Sequence, residues 1–378
     1  MLIMDYWVVS SISVFVIALS LTGIIIPQIL LIAFRRKLFD EPDPRKIHKG
    51  SIPRLGGMAF MPSIFFAIAC ISGISMLFYE GTFSKEIYEH TVDISFASCS
   101  LMLMFLVGLA DDLVGVKYRA KFVVQIVAAL FLVVASLSID NLWGFMWINE
   151  LWAPLGWGLT ILVAVYITNA INLIDGIDGL ASGLSAVACL YYGIVFFTAQ
   201  EYFYAFVAFA TLGTLVPFFY YNVFGDPSKQ EKIFMGDTGA LTIGIIMTIL
   251  SIRICHEGVG SSIGVNPLVV AFTPLIVPCF DVLRVYLHRI RYHRNPFLPD
   301  KCHIHHKLLA LGVPKTWAMV FIVVSSIIFT MTNLLISKYI HVTILVAIDV
   351  VGYAGINILL TYYIHKRQRR MNDTELYA

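Results

Sequence analysis

Residues 152–183, WAPLGWGLTILVAVYITNAINLIDGIDGLASG, decide what kind of protein this is. The first twenty, 152–171, carry no charge. A hydrocarbon core of about 30 Å needs roughly 20 apolar residues of helix, so this run is long enough to cross a bilayer. It ends in Asn172, Asp175 and Asp178, and a second apolar run begins at Leu180. Carboxylates at such a boundary are costly and mark function by default. Asp175 and Asp178 are spaced i, i+3 and share one face of a helix, with Asn172 a further three residues back on the same stripe. Gly176 and Gly179 let another group approach the backbone closely.

Working outward with the same ruler, further runs lie at 7–34, 57–79, 94–110, 122–139, 180–199, 202–221, 240–255, 267–287, 317–336 and 342–364. Of these, 240–255 is short and contains Arg253, and only Gln200 and Glu201 separate 180–199 from 202–221. The 378 residues are 59% hydrophobic and 13% charged, with a mean hydropathy of +0.83. Ordinary soluble domains carry about 25% charged residues, so a soluble globular enzyme is excluded. The sequence therefore predicts an all-α polytopic membrane protein with about eleven transmembrane helices, forming one integral membrane domain over 1–378. The first run is about twice a signal-peptide core and is expected to be retained as a span. Six scattered cysteines without a CxxC pair read as buried small apolar residues.

Short cytoplasmic loops are enriched in Lys and Arg. Of the 26 such residues, all but Lys85, Arg253 and Lys338 fall on alternate connections, on the C-terminal tail, or at the adjoining helix end where Arg284 lies. This predicts an outside N-terminus, a cytoplasmic C-terminus and an odd number of spans. Asp111 and Asp112, Asp175 and Asp178, Asp237 in FMGDTG and Asp281 in PCFDVLR all then fall on the cytoplasmic side.

Taken alone, Asp237 reads as an ordinary helix N-cap. Asp281 and Arg284, also i, i+3, read equally as an ion pair or as part of a site. His303, His305 and His306 stand among Arg289, Arg291, Arg294, Lys301 and Lys307. Zinc would need a fourth ligand that the spacing does not supply, so they read as donors to phosphate oxygens. Arg45, Lys46, His48, Lys49 and Arg54 before Gly56 and Gly57 suit either anionic lipid heads or a diphosphate. Hard carboxylate oxygens without thiolates suit Mg²⁺, with Mn²⁺ as an alternative. Carboxylates for a metal and cations for phosphate are the parts phosphoryl transfer requires. Neither a phosphate-binding P-loop nor a dinucleotide fingerprint is present, and nothing indicates nucleic acid.

HKGSIPRLGG, GLADDLVGV, NAINLIDGIDGLASG, YNVFGDPSKQEKIFMGDTG and PFLPDKCHIHH occur in this order between about residues 45 and 306. They resemble the ordered cytoplasmic motifs of the polyprenyl-phosphate N-acetylhexosamine-1-phosphate transferase family. The resemblance implies that a UDP-N-acetylhexosamine gives its sugar 1-phosphate to undecaprenyl phosphate, releasing UMP, on the cytoplasmic face of a bacterial inner membrane. It implies a catalytic set of Asp111, Asp112, Asp175 and Asp237, with Asp237 a magnesium ligand assisted by Asn172, which displaces the N-cap reading. It places Phe234 against uracil, Asp178 on the uracil edge, and Lys49, Arg54, Lys121, Asn172 and Asn222 around the nucleotide and phosphates. His303, His305 and His306 match the loop that binds sugar and diphosphate. The HxHH form resembles the branch that uses UDP-N-acetylglucosamine to start O-antigen, enterobacterial antigen or teichoic acid assembly. The stretch from Asn222 to Asp237 is longer than in the peptidoglycan branch, and Arg54 stands where a smaller residue is common.

The alternatives are transfer of phospho-MurNAc-pentapeptide for peptidoglycan, an ion-coupled transporter, and a cation channel or metal exporter using HxHH. A transporter should place its carboxylates near the midplane, commonly within inverted repeats; here they sit at helix ends and no repeat is seen. A homodimer is left open.

Overall fold

Without water, a chain satisfies its backbone N–H and C=O groups within one segment only by coiling into helix, and the apolar runs do so. The computed structural model describes residues 2–38, 52–78, 87–88, 90–261, 264–291, 293 and 302–371. Among them, the helices are α1 (Leu2–Arg36), α2 (Phe60–Phe78), α3 (Thr91–Val114), α4 (Tyr118–Val134), α5 (Ala153–Ile174), α6 (Leu180–Thr198) and α7 (Tyr202–Val223). They continue with α8 (Gly236–Glu257), α9 (Pro267–Phe272), α10 (Ile276–Arg291), α11 (Ile304–Ala310), α12 (Lys315–Ile336) and α13 (Val342–Met371). Among the described residues, extended pairing is confined to one bridge, Asn141 with Glu150.

Ten segments among the described residues are long and apolar enough to cross a membrane, with α9 and α10 forming one of them across the tight turn Thr273–Leu275. Sequence reading predicts eleven; the difference lies in the run 122–139. Its helix, α4, has 17 residues and rises about 25 Å, at the short limit of a spanning helix. The chain leaves it at Val134, Ser136 takes a positive φ of 57°, and Leu137 and Ile139 are buried as non-helical chain. The last apolar residues of that run therefore fill the core beside the Asn141–Glu150 bridge and do not lengthen the helix. The two runs separated by Gln200 and Glu201 are distinct helices, with Gln200 at φ 65° in the turn between them.

The run with the arginine becomes the centre of the molecule. Every residue of α8 from Thr238 to Cys255 is buried. Arg253 is tolerated because Asp93 of α3, Glu201 before α7 and Glu257 pair with it at 3.2, 3.0 and 2.9 Å, and its guanidinium lies 4.9 Å over the Tyr204 ring. Lipid tails give no hydrophobic drive between helices, so close packing has to come from small residues that let backbones touch. A Cβ at Gly57, in the turn that opens α2, would collide with the backbone N and Cα of Gly239. One at Gly108 of α3 would meet Thr238 Cα at 2.6 Å. Overpacking a core costs about 1–3 kcal/mol or more. Gly57→Val is expected to drive the protein out of its monodisperse detergent peak and Gly57→Ala to lower its thermal midpoint, both read by size exclusion and thermal unfolding.

Candidate active site

Gly115, at φ 74°, stops α3 just after Asp111 and Asp112. A helix C-terminus disfavours negative charge, so both carboxylates need partners from elsewhere. Asp112 finds them on α8: Oδ1 accepts from Asp237 N at 2.8 Å, and Oδ2 accepts from Thr238 N at 2.8 Å and Thr238 Oγ1 at 2.5 Å. It thereby caps, from another helix, the first turn of the helix that carries Asp237. Asp111 accepts from Val116 N at 2.6 Å and from Lys121 Nζ at 3.0 Å.

Lys121, in the first turn of α4, also reaches Asp237 Oδ2 at 2.6 Å, while Asn172 Nδ2 donates to Asp237 Oδ1 at 3.1 Å. Four helices thus deliver Asp111, Lys121, Asn172 and Asp237 to one spot, at the positive end of α8. Among the described residues, no group of three His, Cys, Asp or Glu side chains is placed to hold a metal ion. The oxygen donors gathered there are the Asp237 carboxylate, the Asp111 carboxylate beside it and the Asn172 amide. That is the sparse, hard-oxygen set suited to an ion that keeps waters and substrate phosphates as its remaining ligands.

The turn after α5 adjoins this spot. Asp178 Oδ2 pairs with Lys232 Nζ at 2.8 Å. Asn222, 4% exposed, accepts from Gly179 N at 2.7 Å and donates to Ile233 O at 2.9 Å, so its amide braces the turn against the segment leading to α8. That segment is stitched to the chain preceding α2: Phe234 N donates to Pro53 O at 2.9 Å, Gly56 N to Phe234 O at 3.0 Å and Gly57 N to Met235 O at 2.9 Å. The Phe234 backbone is fixed on both sides. Arg54 is exposed on the same strip.

Asp175 is pushed up to about 7, first by burial and then by the charges of Asp178 and Asp237, with the Arg54 guanidinium opposing them. An acid whose folded value lies above its unfolded value of about 3.9 is best tolerated protonated, and it costs stability as pH rises from about 4 through 7. Without divalent ion or nucleotide, Asp175→Asn is expected to raise the thermal midpoint at pH 8 more than at pH 4; an equal change at both would refute that charge cost.

The histidines belong to the same end of the bundle. Asp281 is 0% exposed and receives four partners: Arg284 Nη2 at 2.9 Å, His303 Nδ1 at 2.8 Å, Tyr353 OH at 3.2 Å and the backbone N of Ile304 at 3.1 Å. It caps α11 from α10, as Asp112 caps α8 from α3. Asp281 lies ten residues before the end of α10, about 15 Å along its axis, so the histidine segment folds back alongside that helix. His305 is 1% exposed and its ring abuts Gly176, where any Cβ would collide with it. Burial and the charges of His306 and His303 hold it at about 3, so the ring is neutral, and neither nitrogen has a protein hydrogen-bond partner. His306 lies 4.2 Å from it, centroid to centroid.

The structure thus brings Asp111, Asp112, Lys121, Asn172, Asp175, Asp178, Asn222, Phe234, Asp237, His303, His305 and Arg54 to one end of the bundle. Lys49 lies outside the described residues, as do residues 294–301 of the histidine loop. Lys232, Thr238 and the hub role of Asp281 were not read from the sequence. The i, i+3 spacing to Arg284 flagged Asp281, but its main partners are 22 and 72 residues away.

Glycosyl transferase family 4 matches residues 94–255, which hold every site residue from Asp111 to Asp237. The probable undecaprenyl-phosphate N-acetylglucosaminyl 1-phosphate transferase of Bacillus subtilis (strain 168) is 30% identical over 327 residues, covering 86% of this chain and 84% of that protein. The chain belongs to glycosyl transferase family 4. Two further relatives named undecaprenyl-phosphate alpha-N-acetylglucosaminyl 1-phosphate transferase agree with this. The protein from Yersinia pestis is 29% identical over 80% of this chain and 78% of its own length. That from Escherichia coli (strain K12) is 27% identical over 86% and 85%. The family 4 match stops before the histidine segment, so its placement against Gly176 comes from the structure alone.

Proposed function

We propose that this family 4 protein transfers N-acetylglucosamine 1-phosphate from UDP-N-acetylglucosamine to undecaprenyl phosphate at the cytoplasmic end of its bundle, in a bacterial inner membrane, to start a cell-surface polysaccharide. The observation that carries it is the meeting of Lys121 and Asn172 on the Asp237 carboxylate, in a chain similar over most of its length to relatives named for that transfer. The Lys and Arg asymmetry supports the cytoplasmic side. Carboxylates at helix ends, away from a midplane, disfavour a transporter.

In this reading an oxygen of the lipid phosphate attacks the β-phosphorus, the bond from that phosphorus to the bridging oxygen breaks, and UMP leaves. A phosphate monoester has a second pKa of about 6, so the attacking oxygen is already ionised near neutrality and needs little general base. The carboxylates then position more than they deprotonate. Asp112 has both oxygens committed to α8. Asp111 aims Lys121, whose ammonium is a cation placed to meet phosphate oxygens. Mg²⁺, with Mn²⁺ as substitute, is the ion that Asp237 and Asn172 suit, and when bound it supplies neutralisation of diphosphate charge. The two unpartnered nitrogens of His305 are available to a sugar or phosphate oxygen beside Gly176. Phe234, pinned at its backbone, offers a ring for uracil.

The test supplies membranes containing the protein with labelled UDP-N-acetylglucosamine and undecaprenyl phosphate. A tunicamycin-sensitive labelled lipid and equimolar UMP are expected. Product from UDP-MurNAc-pentapeptide alone would move the assignment to the peptidoglycan branch, and metal flux without sugar turnover would overturn it.

A further inference from the structure

One turn further into the bundle than Lys121 and Asn172, α4 and α5 are joined by a second polar contact. Gln125 is four residues beyond Lys121 on α4, and Asn169 three residues before Asn172 on α5, so each shares a face with the site residue above it. Gln125 Nε2 donates to Asn169 Oδ1 at 3.3 Å, and Asn169 Nδ2 donates back to Gln125 Oε1 at 2.7 Å and to Val165 O at 2.7 Å. Gln125 is 4% exposed. Two amides in an apolar slab are costly unless each satisfies the other. An apolar pair of similar size would pack as well, but it would accept many rotations of one helix against the other. A reciprocal amide pair accepts few, as a single buried polar pair fixes register in a coiled coil.

The helix that needs such a fix is α4. It is 17 residues long, and its packing is chiefly on α3 and α5. Lys121 stands in its first turn, and a small rotation of α4 would carry that ammonium off the Asp237 carboxylate that Asn172 holds from the other side.

We propose that the Gln125–Asn169 pair is a positioning device for the transfer reaction: it fixes the rotation of α4 against α5 and thereby sets Lys121 and Asn172 on the two oxygens of Asp237. The inference rests on the function proposed above. Neither amide touches substrate; both act through Lys121 and Asn172.

The experiment uses the purified full-length protein in lipid nanodiscs, with UMP release read at varied UDP-N-acetylglucosamine and Mg²⁺, alongside thermal unfolding. Gln125→Leu and Asn169→Leu are expected to lower kcat about 10- to 100-fold, the range for residues that orient a metal site's ligands. KM for the nucleotide should change little, and half-activation should need more Mg²⁺. The paired variant Gln125→Leu with Asn169→Leu leaves no orphaned amide, so its midpoint should match or exceed that of the parent while kcat stays low. The exchange Gln125→Asn with Asn169→Gln keeps two amides face to face and should recover most of the lost kcat. If the parent releases UMP and the double leucine variant has parental kcat and Mg²⁺ dependence, the pair is only packing and the inference falls alone. If the loss of kcat merely follows the loss of midpoint across the set, the inference falls as well. If the parent itself releases no UMP, the transfer reading fails and takes the inference with it.

Discussion

Asp237→Ala lowers the rate of transfer by about 10²- to 10³-fold, the cost of removing one preorganised electrostatic group from a reacting centre, while leaving the fold nearly intact. This separation follows from how the residue is held. The cap that Asp112 places on α8 uses the backbone N of residue 237 and the Thr238 groups, none of which the substitution touches. Lys121 keeps Asp111 as a partner. The Asn172 amide loses its acceptor, worth about 1–3 kcal/mol at most, and Asp111 loses its contact with the Asp237 carboxylate while keeping Val116 N and Lys121. UMP release and a thermal midpoint on the same preparation check both halves. Asp237→Asn retains an oxygen donor, so its activity is expected to recover partly as Mg²⁺ is raised, whereas Asp237→Ala does not recover. Parental turnover in Asp237→Ala would remove this residue from the site.

Asp281→Ala fails in the opposite manner, losing stability and turnover together. The carboxylate is fully buried and answers Arg284, His303, Tyr353 and the N-terminus of α11 at once. Removing one member of a buried ionic set leaves the others uncompensated, at about 3–5 kcal/mol. The histidine segment should also come away from α10, carrying His305 off Gly176. Hydrogen exchange over residues 302–310 is expected to accelerate markedly, with the midpoint and UMP release falling in parallel. Unchanged exchange there, with activity lost, would place Asp281 in contact with substrate instead.

The contrast between these two aspartates shows how far a linear reading reaches. Apolar length located nearly every helix, because the bilayer imposes one ruler on every span. At 122–139 it ran past the end of α4, because the buried non-helical stretch that follows is as apolar as the helix before it. Asp111 and Asp175 stood out because a carboxylate beside an apolar run has few excuses, whereas Asp237 alone reads as a helix N-cap and is raised only by the family resemblance. What could not be read was division of labour. Asp111 and Asp112 are adjacent and chemically identical, yet one aims Lys121 and the other holds a helix. That distinction depends on which side of the α3 terminus meets α8. Lys232 was invisible for the same reason: its partner Asp178 is 54 residues away, and a lone lysine in a polar connection has no signature.

Asp112 also has a history during synthesis. Its partners, Asp237 and Thr238, follow it by 125 and 126 residues. A ribosome needs about 6 to 25 seconds for that length. Through that interval the carboxylate has nothing to cap. Lying in the last turn of its helix, it can stay hydrated at the membrane surface until the later helix arrives. An aspartate placed mid-helix would spend the same wait in lipid. The centre is therefore completed only after most of the chain has been inserted, and a nascent chain stalled before residue 236 would carry Asp111, Asp112 and Asp175 without Asp237 and none of the geometry that makes them useful.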